Sequence, residues 1–377
     1  MTFAIVGLGT ALPRCSVEQA EAARFAERLL DHPAGSARLL DTLYRRSGVG
    51  RRHTVVLDEP PRSGMTSTGE ADHADSLVDR QQLFHRAEDH ADEGPTTARR
   101  MEYYEMHAGP LAASAARRAL SDGGVDAREV THLITVSCTG FAAPGVDLAL
   151  IDELGLSSGV LRTHIGFMGC HGAVNALRVA SAFAAADPAA TILVAAVELC
   201  SLHHQYGWHP ERIVANALFG DGAAAVVGSN RCRVLHGEWR LRNTAACVLE
   251  QADDLMSWRV RDHGFVMGLS PQVPQVIASR LRPWIESWLS RQRLKIDDIA
   301  SWIIHPGGPR ILRAVAATLG LQKPAVEASW SILERYGNMS SPTVLFILQE
   351  LRRQQASMPC AMLAFGPGLA LEAALWE

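Results

Sequence analysis

Four short apolar runs, at residues 132–138, 163–167, 190–197 and 223–227, interleave with helical segments in one stretch of this chain. That alternation constrains the fold more than any other feature. Ala190–Val197 is almost wholly apolar, the pattern of a strand buried on both faces of its sheet. Gly145–Leu154 and the small-residue segment Ala173–Ala186 carry helical periodicity. The C-terminal half repeats the theme, with helices expected over 272–292, 309–319 and 341–353 and strands over 301–304, 360–365 and 369–376. Such alternation predicts an α/β protein with central, buried sheets. Upstream, Phe3–Val6 reads as a strand with a turn at Gly7-Leu8-Gly9, Val17–Leu30 as a helix, and Met101–Asp122 as a long helix stopped by Gly123-Gly124. Residues 56–99 are rich in Asp, Glu, Arg, His, Pro and Ser and read as a surface excursion packed on the domain. A seam near Ser229–Cys232 divides the chain into halves 1–229 and 230–377.

With 377 residues, 47% of them hydrophobic and 20% charged, there is material for two ordinary domains or one large duplicated one. A formal net charge of −4 gives no general pull toward nucleic acid or anionic membrane. The seven cysteines are scattered and none belongs to a C-x-x-C pair, so neither a secreted disulfide framework nor a zinc motif is expected. The longest apolar stretch, residues 173–200, is broken by Arg178 and Asp187-Pro188, which argues against stable membrane insertion. The first residues read as a strand rather than a signal peptide, and a reducing cytoplasm is the expected location.

Three segments carry candidate chemistry. In Gly166-Phe167-Met168-Gly169-Cys170-His171-Gly172 a cysteine sits between a strand and a small-residue helix. Glycines permit a sharp turn that exposes the side chain between them, and a helix N-terminus favours a thiolate. A structural cysteine in a tight turn fits the same residues. His305 ends an apolar run and opens the loop Pro306-Gly307-Gly308-Pro309, at the strand end where α/β proteins bind ligands. A histidine that satisfies loop carbonyls fits equally. Asn338, in Tyr336-Gly337-Asn338-Met339-Ser340-Ser341, precedes a helix and also suits an N-cap. Together, Cys170, His305 and Asn338 supply a nucleophile that carries an acyl group as a thioester, an imidazole that holds the thiolate, and two donors for an enolate oxygen. A cysteine protease uses the same residue types, so the types alone do not choose the reaction.

At these residues the chain resembles the type III polyketide synthases, the chalcone synthase-like family of the thiolase-like superfamily. The resemblance runs over most of residues 100–377 and more loosely over 1–55. It rests on five motifs in family order: Gly169-Cys170 before a helix, Ala217-Leu218-Phe219-Gly220-Asp221-Gly222-Ala223-Ala224, His305 to Pro309, Gly337 to Ser341, and Phe365-Gly366-Pro367-Gly368-Leu369. It implies a homodimer with a thiolase-like, duplicated, five-layered αβαβα fold, using CoA thioesters as substrates and no other cofactor. It also implies that an acyl-CoA starter loads onto Cys170 and that malonyl-CoA is decarboxylated while His305 and Asn338 polarise its thioester carbonyl. The chain would then grow iteratively without a carrier protein and cyclise to a pyrone, resorcinol or related aromatic polyketide.

The same comparison assigns further positions. Phe219 matches a family phenylalanine at the junction of CoA tunnel and cavity. Trp258, Met267, Cys138 and Thr139 fall at cavity positions, Trp258 where the plant enzymes have glycine, Cys138 where they have threonine, and Met267 near a second phenylalanine. Gly307 and Gly308 complete the substrate-binding set. Ala143 stands where the plant enzymes place a methionine that reaches the partner's cavity. CoA phosphates call for a basic tunnel mouth. The run from Tyr44 to His53 matches that region, with Arg46 and, after the glycine loop, Arg310 as candidates. His203, His204 and His209 lack the completing carboxylate or cysteine of a usual metal pattern, and no metal is expected.

Three rivals remain at this stage: a ketoacyl-carrier-protein synthase III-like enzyme that stops after one condensation, a cysteine hydrolase, and a non-catalytic acyl-CoA-binding relative. The Gly-Gly-Pro after His305 and the Gly-Pro-Gly near the C-terminus favour the polyketide reading over the first. Met267 and its apolar surroundings favour a fatty acyl starter over a bulky aromatic one.

Overall fold

The computed structural model describes residues 3–29, 37–57, 80–230 and 239–377. Its first half comprises β1 (Ala4–Ala11), β2 (Ser16–Glu18), α1 (Gln19–Leu29), α2 (Ala37–Arg46), β3 (Arg51–His53), α3 (Thr97–Gly123), β4 (His132–Ser137), α4 (Val146–Leu154), β5 (Leu161–Gly166), α5 (Gly172–Ala186), β6 (Thr191–Leu199), α6 (Pro210–Leu218) and β7 (Asp221–Ser229). Its second half comprises β8 (Trp239–Val248), β9 (Met256–Arg261), β10 (Gly264–Leu269), α7 (Val273–Arg291), β11 (Ser301–Ile304), α8 (Pro309–Leu319), α9 (Lys323–Tyr336), α10 (Thr343–Arg353), β12 (Cys360–Gly366) and β13 (Ala370–Trp376).

Nine strands form one ladder in the order β11-β12-β13-β8-β1-β7-β6-β4-β5. From the β1 end outward, β1–β7 and β7–β6 are antiparallel and β6–β4 is parallel. From the β8 end outward, β8–β13 and β13–β12 are antiparallel and β12–β11 is parallel. The same order of hands on each side shows an internal duplication. In the ladder the two sides join where Ala4 and Ile5 of β1 pair with Arg240 and Trp239 of β8.

Strand side chains alternate between faces, and here each face finds a different core. Ile192, Val194 and Ala196 of β6 share one core with Met362 and Ala364 of β12 and with α5 and α10. Leu193, Ala195 and Val197 face the outer layer of α1 and α3 instead. Ala361, Leu363 and Phe365 of β12 face α7, α8 and α9. The result is five layers, αβαβα, with α5 and α10 sandwiched between the half-sheets. Because both faces of these strands are covered, their sequences read as continuous apolar runs.

Helix α3 shows how local chemistry sets this stacking. Thr96 caps its N-terminus by accepting from the Arg99 N–H, and Gly124 ends it in the left-handed conformation. Its alanine face lies so close to β1 that a Cβ at Gly7 would sit 2.1 Å from the Ala119 carbonyl oxygen. Gly7 and Gly9 therefore do not make the turn expected from the sequence. They lie inside β1 and admit the helix.

Other local expectations also change. Val17 pairs with Arg52 in the short β2–β3 ladder, so α1 begins at Gln19. The 163–167 run belongs to β5, an edge strand with exposed Leu161 and Arg162 rather than a buried one. Part of the 56–99 segment, residues 58–79, lies outside the described residues. Leu83 and Phe84, within the same segment, are buried, and Ala87 donates to the Leu29 carbonyl. Those contacts anchor the stretch to the domain, while most of residues 85–93 are exposed. Elements α2, α6, α9 and β8–β10 were not anticipated. In β8 buried Trp239 and Leu241 alternate with half-buried Arg240 and Arg242, but Asn243, Thr244 and the small residues after them blur that two-residue period.

Candidate active site

Cys170 lies in a single 3-10 turn, Gly169–His171, that runs directly into α5. Gly169 has φ +64°, and a Cβ there would meet Pro367 Cδ at 2.4 Å. Only glycine tolerates both the backbone angle and the approach of the Gly366-Pro367-Gly368 loop. The turn aims the Cys170 side chain into a cavity whose wall also includes Phe219, Trp258, Met267, Cys138 and Thr139.

Asn338 reaches the thiol by way of a main-chain zipper. Its N–H donates to the Leu218 carbonyl at 2.9 Å, and its carbonyl accepts from the Gly220 N–H at 3.0 Å. Two of the sequence motifs are thereby joined, with Phe219 and Asn338 forming an isolated bridge. Asn338 Oδ1 accepts from the Ser340 N–H at 2.8 Å. That bond leaves the amide nitrogen for the thiol, and the Cys170 side chain engages both Asn338 and Ser340. Ser340 Oγ also lies 3.3 Å from Cys138 Sγ. Ser340 thus stands between two cavity thiols, a role the sequence did not reveal.

His305 ends β11 with no exposure, and neither ring nitrogen has a protein hydrogen-bond partner. It does not bond to the thiol or to Asn338. Its electrostatic neighbour is His171, the residue after Cys170. Burial dominates both groups: it pushes the Cys170 thiol up to about 11 against the pull of Ser340 and Asn338, and the His305 imidazole down to about 3. Burial thus pushes both groups toward their neutral forms. The helix N-terminus alone does not make the thiolate expected from sequence, because desolvation outweighs it here.

The cavity walls are tied down by polar bonds. Buried Glu198 accepts from the Cys138 N–H at 2.9 Å, the Thr139 hydroxyl at 2.7 Å and the Ser341 hydroxyl at 2.7 Å. It holds the 138–139 and 340–341 loops to one anchor. Trp258 donates to the Cys138 carbonyl at 2.7 Å and meets the His203 ring edge-on. Phe265, two residues before Met267, stacks on His203 with ring centroids 4.1 Å apart and also lines the cavity. It was not singled out from the sequence, and its place on the β9–β10 hairpin explains why.

Other expected positions fall elsewhere. Gly307 and Gly308 form the turn into α8 and do not line the cavity. Arg310 donates to the Pro271 carbonyl at 3.2 Å. Within the basic run, Arg51 pairs with Glu18, and Arg52 is buried against Tyr44, donating to the Asn216 and Phe219 carbonyls. Neither is a free surface cation. Arg46 is exposed at the end of α2, two residues before Gly48, where an added Cβ would meet Pro309 Cγ at 3.0 Å. Gly48 thus packs against Pro309, the residue before Arg310, while neither Arg46 nor Arg310 lines the cavity. His203 donates or accepts through both ring nitrogens, to the Thr139 carbonyl and from the Phe265 N–H. Among the described residues no group of three His, Cys, Asp or Glu side chains is placed to hold a metal ion, and no helix is long and apolar enough to cross a membrane.

Past Cys170 the cavity continues beneath α1, where Val17, Ala22, Phe25, Val56, Leu57 and Phe84 line it. Water-sized spheres have about 120 Å³ in which to move. That is several-fold more than one water needs.

Comparison with known proteins gives a consistent picture. Residues 74–231 match the family description "Chalcone and stilbene synthases, N-terminal domain", and residues 240–377 match its C-terminal counterpart. The chain is 34% identical over 386 residues to an alpha-pyrone synthesis polyketide synthase-like protein, Pks18, of Mycobacterium tuberculosis, covering 100% of this chain and 91% of that protein. It is 30% identical to the 1,3,6,8-tetrahydroxynaphthalene synthase of Streptomyces peucetius subsp. caesius, covering 98% and 91%. Among solved structures, PKS-I of the brown alga Ectocarpus siliculosus superposes with a TM-score of 0.88 at 29% identity, covering 100% and 98% of the two chains. The five layers are accordingly those of the thiolase-like fold.

Proposed function

Because the chain belongs to the chalcone and stilbene synthase family, type III polyketide synthases that are acyltransferases catalysing decarboxylative condensation, we propose that it loads a fatty acyl starter from CoA onto Cys170. The observation that carries the starter class is the apolar gallery running from Cys170 to Phe25 and Phe84. Burying one methylene there is worth about 0.8 kcal/mol, or roughly fourfold in binding per carbon.

The chemistry follows from the site. Cys170 Sγ attacks the starter thioester carbon while His305 takes the thiol proton, and CoA leaves as its thiol after regaining a proton. Malonyl-CoA then loses carbon dioxide. The electron pair of the broken carbon–carbon bond becomes an enolate, whose oxygen receives hydrogen bonds from the Asn338 amide and the His305 ring. The enolate carbon attacks the acyl carbon on Cys170 and expels the thiolate, leaving a chain two carbons longer on CoA. Repeated loading and extension, then cyclisation in the same cavity, yields a pyrone or resorcinol. Arg46 and Arg310 bind the CoA phosphates at the tunnel mouth. The chain works as a homodimer joined along β5, whose edge presents Leu161 at 61% exposure at its start and exposed Phe167 and Met168 just past its end, with exposed Phe141 beside Phe167.

The test is mass spectrometry of the protein with malonyl-CoA and a panel of acyl-CoA esters, reading intact protein and extracted products. A starter-sized adduct on Cys170, with products several two-carbon units longer, is expected from fatty acyl-CoAs. A preference for aromatic CoA esters would defeat the starter assignment. Products of a single extension would defeat the iterative reading.

A further inference from the structure

We propose that the far end of the gallery is a subsite for an oxygen-bearing acyl chain, selected by the Nδ1–H of His204. The inference rests on the reading above that an acyl chain occupies this gallery.

The tautomer of His204 can be read from its neighbours. Asn216 Oδ1 accepts from the Gln205 N–H at 2.9 Å, which fixes the amide so that Nδ2 carries the donors. Nδ2 donates to the Gln205 carbonyl at 2.8 Å, and its other hydrogen faces His204 Nε2 at 3.4 Å. Nε2 is therefore the acceptor, and the ring proton sits on Nδ1. Among the described residues Nδ1 meets no hydrogen-bond partner. The ring lines the cavity and is walled by Phe25 and Phe84, at centroid distances of 6.4 and 5.6 Å.

Most of the other polar groups around this end are already engaged. Both ring nitrogens of His203 are bonded. Ser201 donates to Asp221, and Thr54 donates to Ser201. Arg52 donates to main-chain carbonyls, and Arg100, which does not line the cavity, donates to the Leu202 and His204 carbonyls. Both guanidinium charges keep the His204 imidazole neutral, as does its burial, which is the larger influence. Among the described residues, the His204 Nδ1–H is thus a neutral imidazole donor left without a partner in a mostly apolar surround. A plain alkyl chain that fills this end strands that N–H from water. A chain with a hydroxyl or carbonyl oxygen at the matching depth satisfies it. Leaving a buried donor unpaired disfavours the plain chain by roughly ten- to a hundredfold.

The experiment loads Cys170 without malonyl-CoA, so that only the starter is read. Saturated acyl-CoAs of one length, each with a single hydroxyl walked along the chain, are compared with the unsubstituted ester. One hydroxyl position should load at least tenfold more efficiently than the plain chain. His204→Phe should abolish that optimum and improve loading of the plain chain. A flat series in the unaltered protein overturns the inference without any variant, while adducts with plain chains still uphold the fatty acyl reading. No adduct with any ester overturns both. An ω-carboxylated chain that loads better than every hydroxylated one also overturns it, since a neutral donor does not favour a carboxylate over a hydroxyl in an apolar surround.

Discussion

Ser340→Ala should raise the apparent pKa of Cys170 by about one to two units. The Ser340 hydroxyl engages Cys170 and lies 3.3 Å from Cys138 Sγ, all within a buried wall. Burial outweighs the other influences and leaves the Cys170 thiol raised to about 11, with Ser340 the largest of those that pull it down. A hydrogen bond to a charged acceptor contributes about 1.5–3 kcal/mol, and each pKa unit is about 1.4 kcal/mol. Losing the donor therefore raises the pKa by about one to two units. The assay is the rate of iodoacetamide alkylation of Cys170 from pH 7 to 10, followed by peptide mass spectrometry so that Cys138 is counted separately. Well below the pKa the rate tracks the thiolate fraction, so alkylation at pH 8 should fall about ten- to a hundredfold. Cys138→Ser, which keeps Ser340, should leave the Cys170 profile close to that of the unaltered protein. A Ser340→Ala profile within twofold of the unaltered one refutes the reasoning, because Ser340 would then serve Cys138 alone.

Asn338→Ala should lower malonyl-CoA decarboxylation by about a hundred- to a thousandfold while a starter adduct still forms on Cys170; His305→Ala should impair the same step, and unimpaired carbon dioxide release by either variant removes it from the enolate site. Gly169→Ala forces an L-residue into φ +64° and against Pro367, and should cost about 1–3 kcal/mol in denaturant unfolding along with activity; an unchanged midpoint contradicts the close approach. His203, His204 and His305 are all held neutral, at about 3, by burial, so their folded values lie below the unfolded 6.5. Their contribution is present above pH 6.5 and is lost as pH falls toward 3. Asp221, raised to about 6 by burial, and Glu198, also raised by burial, act in the opposite sense, but two carboxyls offset only part of what three imidazoles lose, so the melting temperature should drop between pH 7 and pH 6, and a flat profile there refutes the neutral imidazoles. Leu161→Arg places a charge on the exposed edge of β5 and should convert a species of twice the 40.8 kDa chain mass to the monomer in light scattering.

Much of this protein was legible before any coordinates. The continuous apolar runs of β6 and β12 announce strands covered on both faces, because alternating side chains that are all apolar must find a core on each side. The Cys170, His305 and Asn338 motifs stand out because glycines and strand ends mark where backbone geometry is special. What the sequence left hidden depends on contacts between distant segments. Gly7 reads as a turn until α3 is seen lying on it. Arg52 reads as a surface cation until it is found donating to the Asn216 and Phe219 carbonyls.

The site divides along the same line. One-dimensional patterning, which reports burial and local backbone conformation, determined the α/β class, the duplicated theme and the three candidate residues. Only the tertiary structure decided that Ser340 stands between two thiols, that Phe265 and Phe84 wall the cavity, and that His204 keeps a free N–H there. Those facts rest on distances between residues far apart in the chain, and no local periodicity encodes them. Desolvation shows it most plainly: the sequence puts a helix N-terminus beside Cys170, but only the packing around it pushes the buried thiol upward.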